Sequence, residues 1–452
     1  MFCQVSNLNT AMELGINLGS LLCEAGWFPA ASTVYRALVN VARWQEKTEP
    51  SFNTVLMESL AYLLHSLSSN YQFEEASTVY HELRQYVSVK NFTATACTSS
   101  NPNLLSHVYK EFSHYHLTKS DYSEAYDWGL EAVKMMTPSI PVKLTVDVFR
   151  QASKSCVVMQ EFKKAKVLIK NANRLSRDTY GKSHCKFADC QEDFGFYLVN
   201  TDCNTESVES YKNAVEVRRR IFGHDNLQVA AALEGLAFSM YVAKYSTRDF
   251  KEARKVAKES LFIRNRLLPH NHFTFASSKR VLALIIEAIA INTNNEETLS
   301  KAESYLLDGL QIALFHMGEI NVKTSNFYGN LGRLYKYIEK FEEAEEMFLK
   351  AINIKECLLG NESQEVALSV SDLATLYNYN MDNLVEAEKL YLRSIKIFTD
   401  IFGPGYTGLQ YDYTGLSDVY RQTGNQEKLA EYQNKLDEWR LLLQHTKNHA
   451  QG

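Results

Sequence analysis

One pattern of large and small residues recurs along the 452-residue chain, and it restricts the fold more than any other feature of the sequence. Its clearest copy consists of seven residues at fixed offsets: Tyr328, Leu331, Gly332, Tyr335, Ala344, Phe348 and Ala351. Small residues at positions 332 and 344 allow two antiparallel helices to approach closely, and the large residues fill the groove beside them. The pattern therefore predicts a pair of packed helices.

The small position on the second helix of each pair can be followed through the whole chain. It is occupied, at intervals of 40–49 residues, by Ala31, Ala76, Ala125, Ala165, Ser207, Ala253, Ala302, Ala344, Ala387 and Leu429. The offsets of the clearest copy match the tetratricopeptide repeat and recur, more weakly in some copies, along the chain, although the intervals exceed the ~34 residues usual in that family. One pair cannot bury its own apolar face, so neighbouring pairs must stack.

We therefore predict an all-α fold, a right-handed superhelical solenoid of about ten tetratricopeptide-like helix pairs. The solenoid is expected to cover residues 1–444, with a candidate break near residues 137–143. Residues 445–452 are expected to form a flexible tail.

Composition excludes several other classes of protein. The formal net charge of −5 argues against a nucleic-acid-binding protein, because such proteins usually carry a basic excess. No apolar run of about 18 residues occurs, so we predict a chain that does not span a membrane. The eight cysteines show no paired framework, and no secretory signal precedes the repeats, which predicts a soluble, reduced, intracellular protein.

Motifs that carry chemistry are absent, so we predict that the protein is not an enzyme and has no catalytic residue, cofactor or metal. The run Tyr180-Gly181-Lys182-Ser183 ends like a phosphate-binding loop, but Ser176 stands where such a loop needs its first glycine. His184, Cys185 and Cys190 lack the second half of a zinc-binding pattern.

In a solenoid of this type, the first helix of each pair lines the concave surface, where ligands bind. The register of the repeat places basic and amide side chains on that surface. They are candidates for binding the carboxylate and the backbone groups of a peptide. These residues are Arg150, Lys154, Arg280, Asn330, Arg333 and Lys336.

Acidic side chains form a second predicted cluster on the same surface, separate from the basic one. These residues are Asp189, Glu192, Asp193 and Glu234. They are candidates for receiving an arginine or lysine side chain of the ligand. For both clusters, the alternative is a solvent-exposed helix face or ion pairs within the protein.

Five longer segments are far more specific than the generic repeat: residues 149–165, 275–280, 328–335, 365–370 and 389–395. Each of them, in the same order along the chain, resembles a segment of the amyloid protein-binding protein 2 family. The resemblance extends over nearly the whole chain.

The resemblance implies a substrate-recognition subunit of a cullin-2 RING ubiquitin ligase that reads C-terminal degrons of the Arg-x-x-Gly type. The implied partners are elongin B/C, cullin-2, and the C-termini or other peptide segments of substrates. The resemblance also implies links to microtubules and to transport of the amyloid precursor protein. The alternative is therefore a microtubule-associated cargo adaptor for membrane proteins of that kind. The implied locations are the cytoplasm, the nucleus, microtubules and membrane surfaces.

Family members also carry a helical segment before the repeats, with a Leu- and Cys-bearing box for elongin B/C and the cullin. In this sequence the first repeat begins about one turn after Met1, and we find no such box. We therefore expect either a truncated chain or a chain that does not assemble the ligase.

Overall fold

The computed structural model is built of helices. It describes residues 2–47, 53–89, 102–245 and 247–449, and within these ranges it has 20 helices and no strand. The helices are α1 (Phe2–Glu24), α2 (Phe28–Glu46), α3 (Asn53–Ser69), α4 (Phe73–Val89), α5 (Pro102–Lys119), α6 (Tyr122–Lys134), α7 (Val142–Val158), α8 (Phe162–Tyr180), α9 (Cys185–Asn200), α10 (Asn204–Phe222), α11 (Leu227–Ala243), α12 (Lys251–Leu267), α13 (Thr274–Thr293), α14 (Glu296–Met317), α15 (Val322–Tyr337), α16 (Phe341–Leu359), α17 (Gln364–Tyr379), α18 (Leu384–Phe402), α19 (Leu409–Gln422) and α20 (Gln426–His449).

Consecutive helices form pairs, from α1 with α2 to α19 with α20. The pair α11–α12 is joined by Ser260 Oγ, which donates to Ala230 O at 2.7 Å. The odd-numbered helices also pack on one another, α1 on α3 and onward to α9 on α11, and again from α13 to α19. The prediction of an all-α repeat fold with ten helix pairs is confirmed for the described residues.

Contacts between the helices divide the chain into two compact units. The first unit comprises Met1–Ala243 and Lys255–Pro269, and the second comprises Lys244–Arg254 and His270–Gly452. Of residues 137–143, where the sequence suggested a break, 137–141 lie in the turn between α6 and α7 and 142–143 begin α7, all inside the first unit. Helix α20 continues to His449, so residues 445–449 of the predicted tail are helical. Residues 450–452 lie outside the described residues.

The small positions that define the repeat are among the most deeply buried points of the fold. Nine of the ten are between 0% and 2% exposed: Ala31, Ala76, Ala125, Ala165, Ser207, Ala253, Ala302, Ala344 and Ala387. Large apolar side chains close around them, such as Leu60 and Phe112 in the first unit and Phe348 in the second. Burial of each such side chain contributes roughly 1.5–3 kcal/mol, which is why stacked pairs are stable where a single pair would not be.

Helix ends follow the breaker residues of the sequence. Pro29 occupies the first turn of α2, where a missing backbone N–H costs nothing. Gly181 ends α8 with φ 81° and ψ 167°, a region open only to glycine. Gly181 is thus the C-cap of α8, with a ψ far from the ~47° of the left-handed helical conformation. His184 then caps α9, since its Nδ1 atom accepts from Lys186 N at 3.1 Å.

Within the first unit, residues near the beginning of the chain bond residues 201 and 205 positions later. Asn226 Nδ2 donates to Ala25 O at 2.9 Å, and Gln228 Nε2 donates to Cys23 O at 3.2 Å. These bonds join the α1–α2 turn to the start of α11. The first unit thereby closes around an internal space, which the next section describes.

Candidate functional site

A cavity of about 830 Å³ lies inside the first unit, and we call it the first-unit cavity. Most of its lining residues belong to the first helix of a pair, namely α1, α3, α5, α7 and α9. Seven acidic residues, six basic residues and three histidines line it. The volume falls within the ~300–1,000 Å³ typical of ligand sites, so the cavity can accommodate a short stretch of peptide.

Arg150, on α7, is the centre of an ion-pair network on one wall of this cavity. Its Nε atom donates to Asp193 Oδ2 at 2.7 Å, and its Nη1 atom donates to Asp189 Oδ2 at 3.2 Å and Asp147 Oδ1 at 3.3 Å. The sequence-based prediction of separate basic and acidic clusters is therefore wrong for these residues. The physical reason is that α7 and α9 pack as neighbouring first helices, so their groove-facing positions meet.

Two further cations extend this network. Lys186 Nζ lies 2.9 and 3.0 Å from the two carboxylate oxygens of Asp147. Arg218 Nη2 donates to Asp189 Oδ1 at 2.9 Å, and Arg218 also pairs with Glu192. Burial alone would raise the pKa of Asp147, but the surrounding cations, Lys186 foremost, hold it well below its usual range. Burial raises the pKa of Glu192, and Arg218 offsets that effect only in part.

The remaining two predicted residues of the first unit, Lys154 and Glu234, are not tightly bonded members of this network. Lys154 Nζ is 3.6 Å from Asp193 Oδ1, and the lysine side chain is 26% exposed. Lys154 is thus the most loosely held cation of the cavity wall. Glu234 is not among the residues that line the cavity, and its carboxylate pairs with Arg264 of α12.

A second polar group occupies another wall, where α3 and α5 pack together. The Glu111 side chain is 1% exposed, pairs with Lys110, and lies 2.8 Å from His65 Nδ1. Burial would raise the pKa of Glu111, but His65 and Lys110 keep it well below the usual range. Burial lowers the pKa of His107, which also lines this wall, to about 3. His107 is therefore neutral at physiological pH.

In the second unit, the predicted basic residue Arg333 pairs with a carboxylate of the protein, and Arg280 acts electrostatically on another. Arg333 donates from Nε and Nη2 to the two carboxylate oxygens of Glu287, at 2.7 and 3.0 Å. Glu287 is 1% exposed, so this is a buried bidentate pair. Burial would raise the pKa of Glu365, but Lys355 and, more weakly, Arg280 lower it.

The other two predicted residues of the second unit are Asn330 and Lys336. Asn330 Nδ2 is buried and has no hydrogen-bond partner in the described part of the chain. Lys336 Nζ lies 5.2 Å from the ring centroid of Tyr337, and burial lowers the pKa of Lys336. The predicted site residues thus fall into two groups, six in the first unit and four in the second.

Several cavity residues were missed by the sequence analysis, among them Glu58, Tyr62 and His65 of α3. They are separated by four and three residues, so they lie on one face of the helix. The small position at Ala76 on the following helix would have allowed their register to be assigned. Glu111 and Lys186 were also missed, because their importance depends on partners supplied by other helices.

Among the described residues, the structure has neither a cluster of metal ligands nor a membrane-spanning helix. No group of three or more His, Cys, Asp or Glu side chains is placed to hold a metal ion in the part that can be described. No helix in those ranges is both long and apolar enough to cross a membrane.

Comparison with known proteins identifies the family. A tetratricopeptide repeat model matches residues 325–356, which include most of α15 and α16. Amyloid protein-binding protein 2 of Rattus norvegicus and that of Mus musculus are each 44% identical to this chain over 436 residues, which covers 96% of this chain and 73% of the relative. The chain belongs to the amyloid protein-binding protein 2 family. The assignment predicted from five short segments is confirmed.

Solved structures place this family member among helical-repeat proteins. A Rap protein complexed with competence and sporulation factor has a TM-score of 0.53 and 14% identity, covering 95% of this chain and 99% of that one. The apo quorum sensor NprR from B. thuringiensis has a TM-score of 0.51 and 14% identity, covering 85% and 97%. At such low identity, these similarities support the fold alone. A protein-binding role for the chain rests on the family and on the repeat scaffold.

Proposed function

We propose that the first-unit cavity binds the C-terminal segment of a partner protein, and that the chain is thereby the substrate-recognition subunit of a cullin-2 RING ubiquitin ligase. The ligand class is a C-terminal degron of the Arg-x-x-Gly type, as the family resemblance implies. Membership of the family and a cavity of peptide size support this proposal.

The observation that carries the carboxylate site is the loose pairing of Lys154. A terminal carboxylate needs a cation that can change partners at low cost. The tightly bonded guanidinium of Arg150 cannot do so without leaving Asp193, whose side chain is 9% exposed, with only the 3.6 Å contact to Lys154. Lys154, at 3.6 Å from Asp193 and 26% exposed, can turn towards a ligand carboxylate and exchange a weak contact for a charged hydrogen bond.

A labelled peptide ending in Arg-Ala-Ala-Gly, with a free carboxylate or an amide at its C-terminus, tests the proposal by fluorescence polarisation. We expect the amide to bind at least tenfold more weakly, because a charged hydrogen bond contributes about 1.5–3 kcal/mol. Lys154→Met should weaken binding of the free-acid peptide and leave the affinity for the amidated peptide unchanged. Lys170→Ala, at an exposed lysine of α8, is the matched control. Equal affinity for acid and amide would exclude carboxylate capture.

Assembly with the ligase is a separate question, which pull-down of elongin B/C and cullin-2 by the full chain addresses. Capture of both would support the ligase role and would require a contact other than the Leu- and Cys-bearing box, which we do not find in this sequence. The second candidate function is a microtubule-associated cargo adaptor, favoured by the relatives' name, which describes a protein that binds amyloid protein. Retained peptide binding without elongin or cullin would favour the adaptor.

A further inference from the structure

The outer face of α8 carries a row of cations without counter-charges. They are exposed and lie three or four residues apart, on one side of the helix: Lys163, Lys166, Lys170 and Arg174. None of them forms an ion pair or a hydrogen bond with any residue that the structure describes. We call this row the α8 stripe. The formal net charge of the chain is −5, so the stripe is a positive surface on a protein that is acidic as a whole.

The α8 stripe is electrostatically unfavourable for the helix that carries it. Like charges three or four residues apart repel each other on a helix, and a cation in the first turn meets the positive end of the helix dipole. Lys163 lies in that turn of α8, which has no acidic residue there. Every other second helix of the described chain from α4 to α20 has at least one acidic residue in its first turn. Helix stability therefore does not explain the stripe.

Comparison between the repeats shows that the fold does not require lysines at these positions. Helices α4 and α16 begin with Phe-Glu-Glu-Ala, at residues 73–76 and 341–344, whereas α8 begins with Phe-Lys-Lys-Ala, at residues 162–165. In the same register, Lys166 of α8 corresponds to Glu345 of α16. The phenylalanine and the alanine are kept, and only the polar residues between and after them change sign. The cations of the stripe are therefore available for an anionic partner.

The positive surface ends at α6, on one side of the stripe. Lys164 Nζ donates to Tyr126 OH at 2.7 Å, which shows that α6 and α8 are neighbours. The exposed side chains of α6 include Glu124 and Asp127. An anion that extended over α6 would therefore be repelled.

The positive surface also ends at α10, on the other side of the stripe. Arg220 Nη1 donates to Ser183 Oγ, in the turn after α8, at 3.3 Å. The exposed cations of α10 are already neutralised, because Lys212 pairs with Glu209 and Arg220 pairs with Glu216. The α8 stripe is thus one helix wide.

The shape of the stripe selects the kind of anion. It is about 17 Å long, at about 1.5 Å per residue of helix, and so matches about five residues of an extended peptide. A flat anionic membrane would also cover α6, where Glu124 and Asp127 would oppose its headgroups. Of the described residues of α8, only Val167 is a large apolar side chain exposed to solvent, which is too little for a membrane anchor.

We propose that the α8 stripe docks a linear acidic segment, rich in glutamate or aspartate, of a partner protein. Each carboxylate of such a segment would offset repulsion within the stripe. The stripe is separate from the first-unit cavity, because no described residue of α8 lines that cavity. It is therefore a further contact surface, and it does not depend on the proposed recognition of C-termini.

The probe for this surface is fluorescein-labelled octaglutamate with an amidated C-terminus, and octaglutamine amide is its uncharged counterpart. Each is titrated with the full chain at about 50 mM NaCl, where screening is weak, and followed by fluorescence polarisation. We expect octaglutamate to bind at least about tenfold more tightly than octaglutamine. Its affinity should fall at least about tenfold at about 500 mM NaCl, because salt shortens the distance over which exposed charges attract.

The test variant combines Lys163→Glu with Lys166→Glu. It keeps the packed residues of the helix, and α16 has glutamate at both corresponding positions, Glu342 and Glu345. The variant should weaken octaglutamate binding at least about tenfold, because each substitution removes an attraction and adds a repulsion. It should unfold at the same temperature as the wild type or higher, since repulsion within α8 is relieved. A lower temperature would show that the lysines are structural and would overturn the proposal.

The control variant combines Lys389→Glu with Lys396→Glu on α18, where both lysines are exposed and pair with glutamates of the protein. It changes the net charge of the chain as much as the test variant does. The affinity for octaglutamate should change less than about twofold, because screening confines each exposed charge to its own surroundings. Equal losses in the two variants would mean that net charge, rather than the stripe, holds the peptide.

Competition decides between an acidic peptide and other polyanions. Unlabelled octaglutamate, phosphatidylserine vesicles and oligothymidine are compared at equal concentrations of anionic charge, and octaglutamate should displace the probe most effectively. Stronger displacement by the vesicles or by oligothymidine would assign the stripe to a membrane or a nucleic acid and overturn the peptide proposal, as would the absence of saturable binding at low salt. Because the probe has no terminal carboxylate and the stripe lies outside the cavity, failure of this surface leaves the proposed function unchanged.

Discussion

Replacement of Arg150 by methionine tests whether this residue stabilises the fold rather than binds ligand. Its guanidinium bonds three carboxylates, of Asp193, Asp189 and Asp147, and its side chain is 15% exposed. Methionine keeps much of the volume and removes the charge. The substitution therefore isolates the electrostatic contribution of the ion pairs that Arg150 forms.

The expected loss in the free energy of unfolding follows from which cations remain beside each aspartate. Asp189 keeps Arg218 at 2.9 Å, and Asp147 keeps Lys186 at 2.9 Å. Asp193, whose side chain is 9% exposed, keeps only Lys154 at 3.6 Å. Breaking one buried ion pair costs about 3–5 kcal/mol, and two of the three acids stay paired. We therefore expect a loss near the lower limit, about 3 kcal/mol.

Thermal unfolding followed by circular dichroism measures this loss. For a unit of this size, about 3 kcal/mol corresponds to a fall of roughly 6–12 °C in the unfolding temperature. Lys154→Met is the control and should cost less than about 1 kcal/mol, since its one contact is long and partly exposed. Adding Asp193→Asn to Arg150→Met should restore much of the stability. If Arg150→Met and Lys154→Met proved equally stable, the reasoning about buried charge would be wrong.

Two predictions concern other parts of the fold. Asp412 is fully buried and accepts from Ser371 Oγ and Ser394 Oγ, and burial raises its pKa from 3.8 to about 7. The folded state therefore holds this proton more tightly than the unfolded state, so stability should fall as pH rises from about 4 to 7. Asp412→Asn should abolish that part of the pH dependence of the urea midpoint and stabilise the protein at pH 8 by as much as about 4 kcal/mol; an unchanged pH profile would contradict the burial argument. Gly235→Ala should destabilise by about 1–3 kcal/mol, because its new Cβ atom would lie 2.2 Å from the Tyr211 ring. Gly329→Ala, whose Cβ atom would have ordinary contacts, should be neutral or stabilising by up to about 1 kcal/mol in the same denaturation assay.

The candidate site was only partly predictable, and Arg150 and Glu111 illustrate why. The repeat register correctly places Arg150, Lys154 and Asp193 on first helices whose side chains line a cavity. It does not indicate that Arg150 and Asp193 bond each other, because that distance depends on how closely α7 and α9 approach. Glu111 stands out only once His65 Nδ1, on another first helix, is seen to lie 2.8 Å from its carboxylate. A contact of that kind is a property of the surroundings, and no local pattern records it.

The sequence by itself determined the helices, their pairing and their number, because these depend on periodic burial and on small residues such as Ala344 that recur at fixed offsets. It also determined the family. Tertiary structure alone decided which charges neutralise one another and where the α1–α2 turn meets α11 around a cavity. Those outcomes depend on small rotations between successive pairs, which add up over 200 residues and leave no mark within any single repeat.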